Sequence, residues 1–517
     1  MTKVKDVQTV LTKGKKANLE DVLIEILKKY PLVRTDIDCF ARITRHGKQC
    51  TLSLNSEEFT LFVKSTCKEI TGTFPSNVTL KNCIDYIKHS AYALPITKIK
   101  YRVAVNSDDS IIYDLCDGNC VKIDSKSWHI EPNNHPMFRQ SNDQLPQVTP
   151  IYSENGWERL YKYLNIPEEK KLLLLVYIIA CLNDKIVSPS ISINGTNGSG
   201  KSTLSKIIKR IIDPSISELE ALPKSLNNLK LRLSTGYYSA FDNLSKLSSK
   251  QSDFLCSVIT EISCTEREYY TNHDILCSHL RRSMCLNGIS NFIFRGDLAE
   301  RILFFNTQLI RDKMRKGDGE LWDNFNKDLP YIMGGIFTLL SKALALLPNT
   351  KLDNPLRLAD FHKFGIAIAN AMGNLGNDFD QAFRANKEYQ LEITGQHAPL
   401  INILVDFLEE NDGVWRGTMS LLFNSLENFI YENPDKEYDL TRFPKASNSL
   451  SCQLKSHAAA LASKGVTFWG KKNGGGNSEI AFTTNRIIRK PIILDTNKKR
   501  KFITRSIDKF IRNNNVI

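Results

Sequence analysis

The stretch Gly195-Thr196-Asn197-Gly198-Ser199-Gly200-Lys201-Ser202-Thr203 constrains this chain more than any other part of it. It follows a short β-type run, Ile191-Ser-Ile193, and opens an amphipathic segment, Leu204 to Ile212. A strand, a glycine-rich turn and a helix are together the setting that a phosphate-binding loop requires. The glycines let successive backbone N–H groups point inward at an anion, and the helix N-terminus adds the positive end of its dipole. Lys201 is placed to reach β- and γ-phosphates, and the Ser202 hydroxyl to ligate Mg²⁺. A glycine-rich surface turn is the competing interpretation, but it leaves the flanking strand and helix unexplained. A nucleoside triphosphate, ATP with Mg²⁺, is the expected ligand.

A chain of 517 residues exceeds a single core and is expected to hold about three domains. Its apolar content of 42% and charged content of 24% are ordinary for a soluble globular protein. The longest apolar run, Leu172 to Leu182, is too short to span a bilayer and reads as a buried helix. The N-terminal stretch MTKVKDVQTV lacks the apolar core of a signal peptide, which points to the cytoplasm and away from a membrane. The 12 cysteines are scattered, and only Cys116 and Cys120 lie close together, as CDGNC. With no second Cys/His pair nearby, reduced buried thiols are favoured over zinc. Net charge is +13, and the last stretch, 486–517, carries ten Lys/Arg against Asp495 and Asp508. Such a tail fits a polyanion partner, nucleic acid being the commonest; a merely solubilising role is the alternative.

The order of patterns divides the chain into a mixed α/β N-terminal domain (1–140), a linker with a helical collar (141–183) and a nucleotide-binding core (184–370). A second linker (371–397), a winged-helix domain (398–485) and a basic tail (486–517) follow. In the first domain, helical periodicity runs from Leu19 to Tyr30, and short alternating segments cover Arg102 to Val105 and Ile111 to Leu115. Asp36, Asp38 and the stretch DLCDGNCV read as solvated turns in preference to a metal or primase site. Trp157 to Leu182 is expected to pack as helices at the sheet edge. The core alternates strand and helix signals, which predicts a parallel sheet with helices on both faces.

Within the core, Tyr237-Tyr-Ser-Ala-Phe241-Asp242-Asn243 reads as an apolar strand ending in an acid. A carboxylate there, beside the phosphate loop, is where Mg²⁺ and water need it, so Asp242 is assigned that role. Asn243 stands where many ATPases of this kind carry a Glu that polarises the attacking water. Either Asn243 merely positions that water, or a nearby acid such as Glu261 or Glu266 supplies the charge. A third strand, from Ser283, ends at Asn287, whose amide can bond the attacking water or the γ-phosphate. Arg301, just before the strand Ile302 to Phe305, suits a finger reaching a neighbouring subunit, with Arg295 in reserve; a surface salt bridge to Asp297 or Glu300 is the plain alternative. The stretch from Glu266 to Arg282 reads as a β-hairpin tipped at Asn272 to Asp274. Its His273, with Arg267, Arg281 and Arg282 on the arms, could track a phosphate backbone.

From about 398, three helices (Leu400–Leu408, Met419–Ile430, Ser447–Ser463) precede a β-type run from Val466 to Trp469. The turn GKKNGGGN and a second run, Ile480 to Thr483, follow. Three helices and a Lys/Gly-tipped hairpin make a winged helix-turn-helix. Leu450, Leu454, Ala458 and Leu461 form one face of the third helix, and Asn448, Gln453, Lys455 and Ser456 offer polar groups to a major groove. Lys471 and Lys472 sit in the wing.

Taken together, GTNGSGKST, FDNLS (Phe241 to Ser245), LNGIS (Leu286 to Ser290), RGDLAER (Arg295 to Arg301) and RLADF (Arg357 to Phe361) resemble one family. The chain from about residue 100 onward is similar to the MCM-like AAA+ replication-initiator helicases of staphylococcal pathogenicity islands and related chromosomal cassettes. The resemblance implies Asp242 as the Walker B acid, Asn287 as first sensor, Arg301 as trans-acting arginine finger and Arg357 as second sensor. It further implies homo-hexameric rings, single-stranded DNA in a central pore, 3′→5′ translocation, and recognition of an origin duplex by the C-terminal domain. Family members usually show Asp-Glu at the Walker B strand, and Asp242-Asn243 departs from that. The expected activity is ATP-driven unwinding of DNA. An origin-binding protein that uses ATP only as an assembly switch is one alternative, and a P-loop ATPase acting on other substrates is a weaker one.

Overall fold

Apolar residues at Val22, Leu23, Ile26 and Leu27 share one face of the first helix, α1 (Leu19–Leu27), and all four are buried. The computed structural model describes residues 19–484, apart from 36–37, 46–47, 136–137, 140, 142, 268–274, 290, 294, 311–316, 397–398, 437, 439, 441–442 and 473–477. The antiparallel strands β1 (Leu32–Arg34), β2 (Cys39–Arg45) and β3 (Lys48–Ser53) follow in that order. Helices α2 (Glu57–Thr71) and α3 (Asn77–Tyr92) start at Ser56 and Ser76, whose side chains accept the N–H of Phe59 and Thr79. This layer closes its own small core around Leu23, Ile43, Phe59, Val63 and Ile87.

The next layer departs from the expected boundary at 140. Strands β4 (Val103–Val105), β5 (Ile111–Asp114), β6 (Asn119–Ile123) and β7 (Trp128–Pro132) form an antiparallel meander. Its Val103, Ile111, Tyr113, Val121 and Ile123 enter the same apolar core as Ile191, Ile193, Leu303 and Phe305 of the parallel sheet. The meander therefore belongs with the core physically, because it cannot bury that face alone. A 3₁₀ turn (Gly156–Tyr163) leads to α4 (Glu168–Ala180), in which every residue from Leu173 to Ala180 is buried. The expected collar at the sheet edge is instead a central core helix.

Four strands form the sheet that carries the glycine-rich loop: β8 (Ser190–Asn194), β9 (Ser239–Leu244), β12 (Met284–Gly288) and β13 (Ile302–Asn306). They run parallel in the order β13-β8-β12-β9. Between them come α5 (Lys201–Ile212), α6 (Leu226–Ser234), α7 (Ser249–Thr260), the hairpin β10 (Ile262–Arg267) and β11 (Ile275–Leu280), and the short α8 (Gly296–Ala299). Period-two alternation sorts the side chains: Ile191, Ile193, Cys285, Leu303 and Phe305 face the large core with α4 and α5. Phe241, Leu286, Ile302 and Phe304 face a second core with α6 and α7. The expected sheet with helices on both faces is what forms. Among the described residues the hairpin also forms, with Arg267 opposite Ile275, while its tip, including His273, lies outside them.

Helices α9 (Asp318–Leu346), α10 (Ala359–Ala371) and α11 (Gly376–Gln396) complete this unit. By length and composition α9 could cross a membrane, but most of its apolar window is buried inside the protein, as in a core helix. The stretch read as a linker, 371–397, is largely α11. Asn386 on that helix holds the strand β13 at Phe304 through both its amide oxygen and its amide nitrogen. Its polar composition hid it, because only one narrow stripe is buried.

One ionic cluster locks the meander to α5. Arg102 and Lys209, both buried, meet Asp213 at 3.0 and 3.1 Å. Burial alone would raise the Asp213 pKa, but the charges of Lys209 and Arg102 outweigh it and hold the carboxyl well below its usual range. Its folded pKa is thus depressed, so this stability is present above the unfolded value near ~3.9 and lost as pH falls through the folded one. Asp213→Asn would leave two buried cations without their counter-ion. A loss of about 3–5 kcal/mol is expected, read as a lower urea midpoint at neutral pH with an unchanged slope.

The second unit, from 398 onward, has the order α12 (Pro399–Glu410), β14 (Val414–Thr418), α13 (Met419–Glu432), α14 (Ser447–Ser456), α15 (Ala458–Ser463), β15 (Val466–Lys472) and β16 (Ser478–Thr484). The antiparallel sheet runs β14-β16-β15. Strand β14 was not read from sequence; Trp415 opposite Phe482 and the pairing to β16 make it. The single third helix expected over Ser447–Ser463 is two, because His457 leaves helical geometry at φ −106° and ψ 12°. The break shifts the helical phase, so Ala458 is exposed while Ala460 and Leu461 are buried with Leu450 and Leu454.

Candidate functional site

The loop between β8 and α5 turns at Gly198 and Gly200, with φ of 72° and 79°, in the left-handed region that L side chains avoid. Gly200 is the N-cap of α5, so the freed N–H groups of its first turn open toward the loop. A Cβ on Gly195 would stand 2.1 Å from Thr307 Oγ1, which packs against the loop just after β13. Thr196, Asn197 and Gly198 form the exposed crest. Ser199 is buried and turned inward, donating to the Thr196 carbonyl at 2.7 Å and sharing a 2.6 Å hydrogen bond with Thr307. Its side chain braces the loop and does not face a ligand. Thr203 is half-buried one turn further on.

Lys201 folds back over the loop, its Nζ donating to the carbonyls of Gly195 and Thr196, both at 2.8 Å. Partial burial lowers its pKa, and the nearby Asp242 charge works against that. Ser202 Oγ donates to Asp242 Oδ2 at 3.1 Å, joining the start of α5 to the end of β9. A hydroxyl and a carboxylate oxygen side by side, at the N-terminus of a helix, are a donor set suited to a small hard cation.

Asn243 is exposed and sits at φ 58°, a conformation Asn tolerates better than most residues. Its N–H donates to Asp242 Oδ1 at 2.7 Å and to Asn287 Oδ1 at 3.1 Å. Asn287 is completely buried, and its Nδ2 donates to Ser205 Oγ at 3.0 Å, which in turn donates to the Lys201 carbonyl. The amide expected to meet water or phosphate is thus committed to tying the β9 turn to α5. Glu261 ends α7 at φ 95° and lies 3.4 Å from His279 at the hairpin base. The side chain of Glu266 lies outside the described residues.

The sheet's register separates the arginines from this loop. Ile302 pairs with Ser190 and Asn306 with Asn194, and the Ser190 N–H donates to the Arg301 carbonyl. At ~3.3 Å per residue, Arg301 lies about 16 Å along the strand from Gly195, beyond the span of its own side chain. Its guanidinium bonds the Asp297 carbonyl, and its Nε is buried without a hydrogen-bond partner among the described residues. Arg357 pairs with Glu300, and Lys387 lies 3.7 Å from the same carboxylate. Arg301 and Arg357 thus share one end of the sheet, opposite the Gly195–Thr203 loop. Arg295 pairs with Asp253 at 2.8 Å.

Arg281 and Arg282 are not on the hairpin arms. Arg282 donates to the carbonyls of Leu233 and Gly236, and Arg281 is held by Asp184, so both brace the sheet. In the second unit Gln453 is half-buried and Lys455 exposed on α14. The backbones of Lys471 and Lys472 end β15 opposite Glu479 and Ser478; their side chains lie outside the described residues. Sequence reasoning missed Asn165, whose Nδ2 donates to the carbonyls of Ser199 at 2.8 Å and Gln308 at 2.7 Å, clasping the loop. No local pattern marks it, since its partners lie 34 and 143 residues away.

Residues 158–388 match the family described as the actinomycete integrative conjugative element replication protein, and residues 400–492 match the C-terminal domain of that protein. No curated protein matches the sequence. Among solved structures, the apo C-terminal region of NrS-1 aligns over 90% of this chain and 99% of its own length, at 12% identity and a TM-score of 0.39. A JCV helicase with a bound thiazolopyridinyl-phenoxyphenyl acetamide aligns over 44% of this chain and 60% of its own length, at 12% identity and a TM-score of 0.25.

Proposed function

We propose, for a chain whose residues 158–388 and 400–492 match the replication protein of actinomycete integrative conjugative elements, that ATP hydrolysis at Gly195–Thr203 drives the unwinding of DNA at an origin. The observation that carries this reading is the 3.1 Å contact of Ser202 with Asp242 beside the glycine loop, in a chain that matches that family. Ser202 and Asp242 would hold Mg²⁺, whose charge would offset that of the phosphates. Lys201 leaves the carbonyls of Gly195 and Thr196 for the β- and γ-phosphates, Asn243 orients the attacking water, and Asn287 keeps Asn243 and α5 in register.

Arg301 and Arg357 lie too far from their own loop to serve it, so in this reading they reach the loop of a neighbouring subunit. That requirement favours a closed ring, a homo-hexamer in the AAA+ reading, with single-stranded DNA in the pore and 3′→5′ movement. The MCM-like initiators of staphylococcal islands are the functional analogy. The helix-strand-helix-helix-helix-strand-strand order from Pro399 to Thr484 fits a winged helix that holds the origin duplex through Gln453, Lys455, Lys471 and Lys472. The hairpin carrying His273 then faces the strand. The setting is the cytoplasm.

ATP turnover stimulated by single-stranded DNA, together with displacement of a labelled strand, tests the proposal. Asn243 favours one second reading, because it offers no carboxylate to activate water: ATP would then only switch assembly on the origin. Turnover that stays at background while ATP still drives ring formation would select that reading.

The two compact units part at 397/398, which sets a second expectation. A fragment ending at Gln396 should retain ATP turnover and lose selective duplex binding, since base contacts specify a site and phosphate contacts only position the protein. A footprint of that fragment on the origin at unchanged salt would move recognition to the first unit.

A further inference from the structure

CDGNC has no second Cys/His pair near it in sequence, yet its Cys120 meets two other ligand-type side chains across the meander. Cys120 on β6 lies directly opposite Glu131 on β7, and His135 follows Glu131 by four residues. Their ligand atoms all lie within 4.8 Å of one another, and His135 Nε2 is 3.5 Å from Glu131 Oε1. We propose that Cys120, Glu131 and His135 bind one Zn²⁺ ion, with solvent in the fourth position.

The donor set selects the metal. A tetrahedral zinc with bonds of ~2.0–2.3 Å spaces its ligand atoms roughly 3.3–3.8 Å apart, so the site closes by small side-chain shifts. A sulfur and an imidazole nitrogen disfavour Mg²⁺ and Ca²⁺, which take oxygen. The surroundings orient each ligand. His129 Nε2 engages the other Glu131 oxygen at 3.3 Å, leaving Oε1 turned to His135. Asn133 Oδ1 accepts the backbone N–H of His135 at 3.1 Å and fixes the turn. Cys120 is buried with Ala104, Ile112 and Phe138, while Glu131 and His135 are only half-buried, so the fourth position faces water.

Charge is balanced as well. The buried Arg42 lies near the thiol, and Asp114, opposite Cys120 on β5, offsets it. Burial pushes the metal-free thiol up to about 12, with Glu131 and Asp114 adding to the effect. Zinc binding therefore forms an S–Zn bond and releases the thiol proton to solvent, so affinity should fall about tenfold per unit of falling pH. The bound ion would pin the turn that joins the meander to the first layer, where Arg42 meets Asn133 and Arg139 lies over Phe40.

Untagged full-length protein, stripped of metal and kept anaerobic, would be titrated with Co²⁺. One cobalt per chain is expected, with a thiolate-to-cobalt absorption band that Zn²⁺ abolishes. Cys120→Ser should eliminate the band. Should that variant fail to fold, Glu131→Gln and His135→Ala, both on the solvent side, should weaken cobalt binding at least as much as the ~10–100-fold cost of losing an outer-shell partner. The absence of a band in the unaltered protein overturns the proposal. So does a band that persists in Cys120→Ser, or an unchanged cobalt affinity in both solvent-side variants.

Discussion

Lys201→Ala should lower ATP hydrolysis by about 10²–10³-fold and stop unwinding, while the protein still folds and binds duplex DNA. The folded-state contacts of Lys201 are two hydrogen bonds to carbonyls of its own loop, and its side chain is part-exposed. Removing it therefore opens no cavity in the core, which rests on Leu204, Ile207, Ile208 and Ile211 one face further round α5. What is lost is the cation on the β- and γ-phosphates, an interaction that strengthens as charge shifts in the transition state. A thermal midpoint matching the unaltered protein, beside background turnover, is the expected pair of measurements. Strand displacement at the unaltered rate by Lys201→Ala would sink the motor reading of this loop.

A loss of about 10³–10⁵-fold is expected for Arg301→Ala, the scale on which arginine fingers act. Arg301 immediately precedes β13, its carbonyl accepting the Ser190 N–H, at the far end of the sheet from Gly195, so under the proposal its effect comes through a neighbour's site. That geometry sets up a complementation test. Arg301→Ala and Lys201→Ala should each be inactive alone, yet mixed rings should recover part of the turnover, because some subunit pairs then hold one intact composite site. Arg357→Ala should behave like Arg301→Ala in the mixture, since both residues flank Glu300 on the same edge. Rings shown to assemble from both variants without recovery would make Arg301 a structural residue that holds the Asp297 carbonyl.

Contiguous chemistry was legible from the sequence alone. The strand, glycine turn and helix around Gly195–Thr203 could be read because they are neighbours in the chain and the turn is set locally by Gly198 and Gly200. Asp242 was legible for a similar reason: an apolar strand ending in an acid, in a parallel sheet, delivers that acid to the loop edge, where Ser202 meets it at 3.1 Å.

The tertiary structure decided what depends on distant partners. Arg281 and Arg282 look like nucleic-acid contacts in sequence, but the carbonyls of Leu233 and Gly236 and the carboxylate of Asp184 claim them. Asn287 lies where an amide facing the phosphates was expected, and packing spends it on Ser205 and Asn243 instead. Polar composition made α11 look like a linker, although two hydrogen bonds from Asn386 fasten it to β13. Strand β14 exists through its pairing with β16, and the Cys120 cluster through a strand register. A local pattern fixes what the backbone of a short segment prefers, at fractions of a kcal/mol per residue. Burial and charge pairing supply several kcal/mol per residue from partners tens to hundreds of positions away, and they determine which of those preferences the fold keeps.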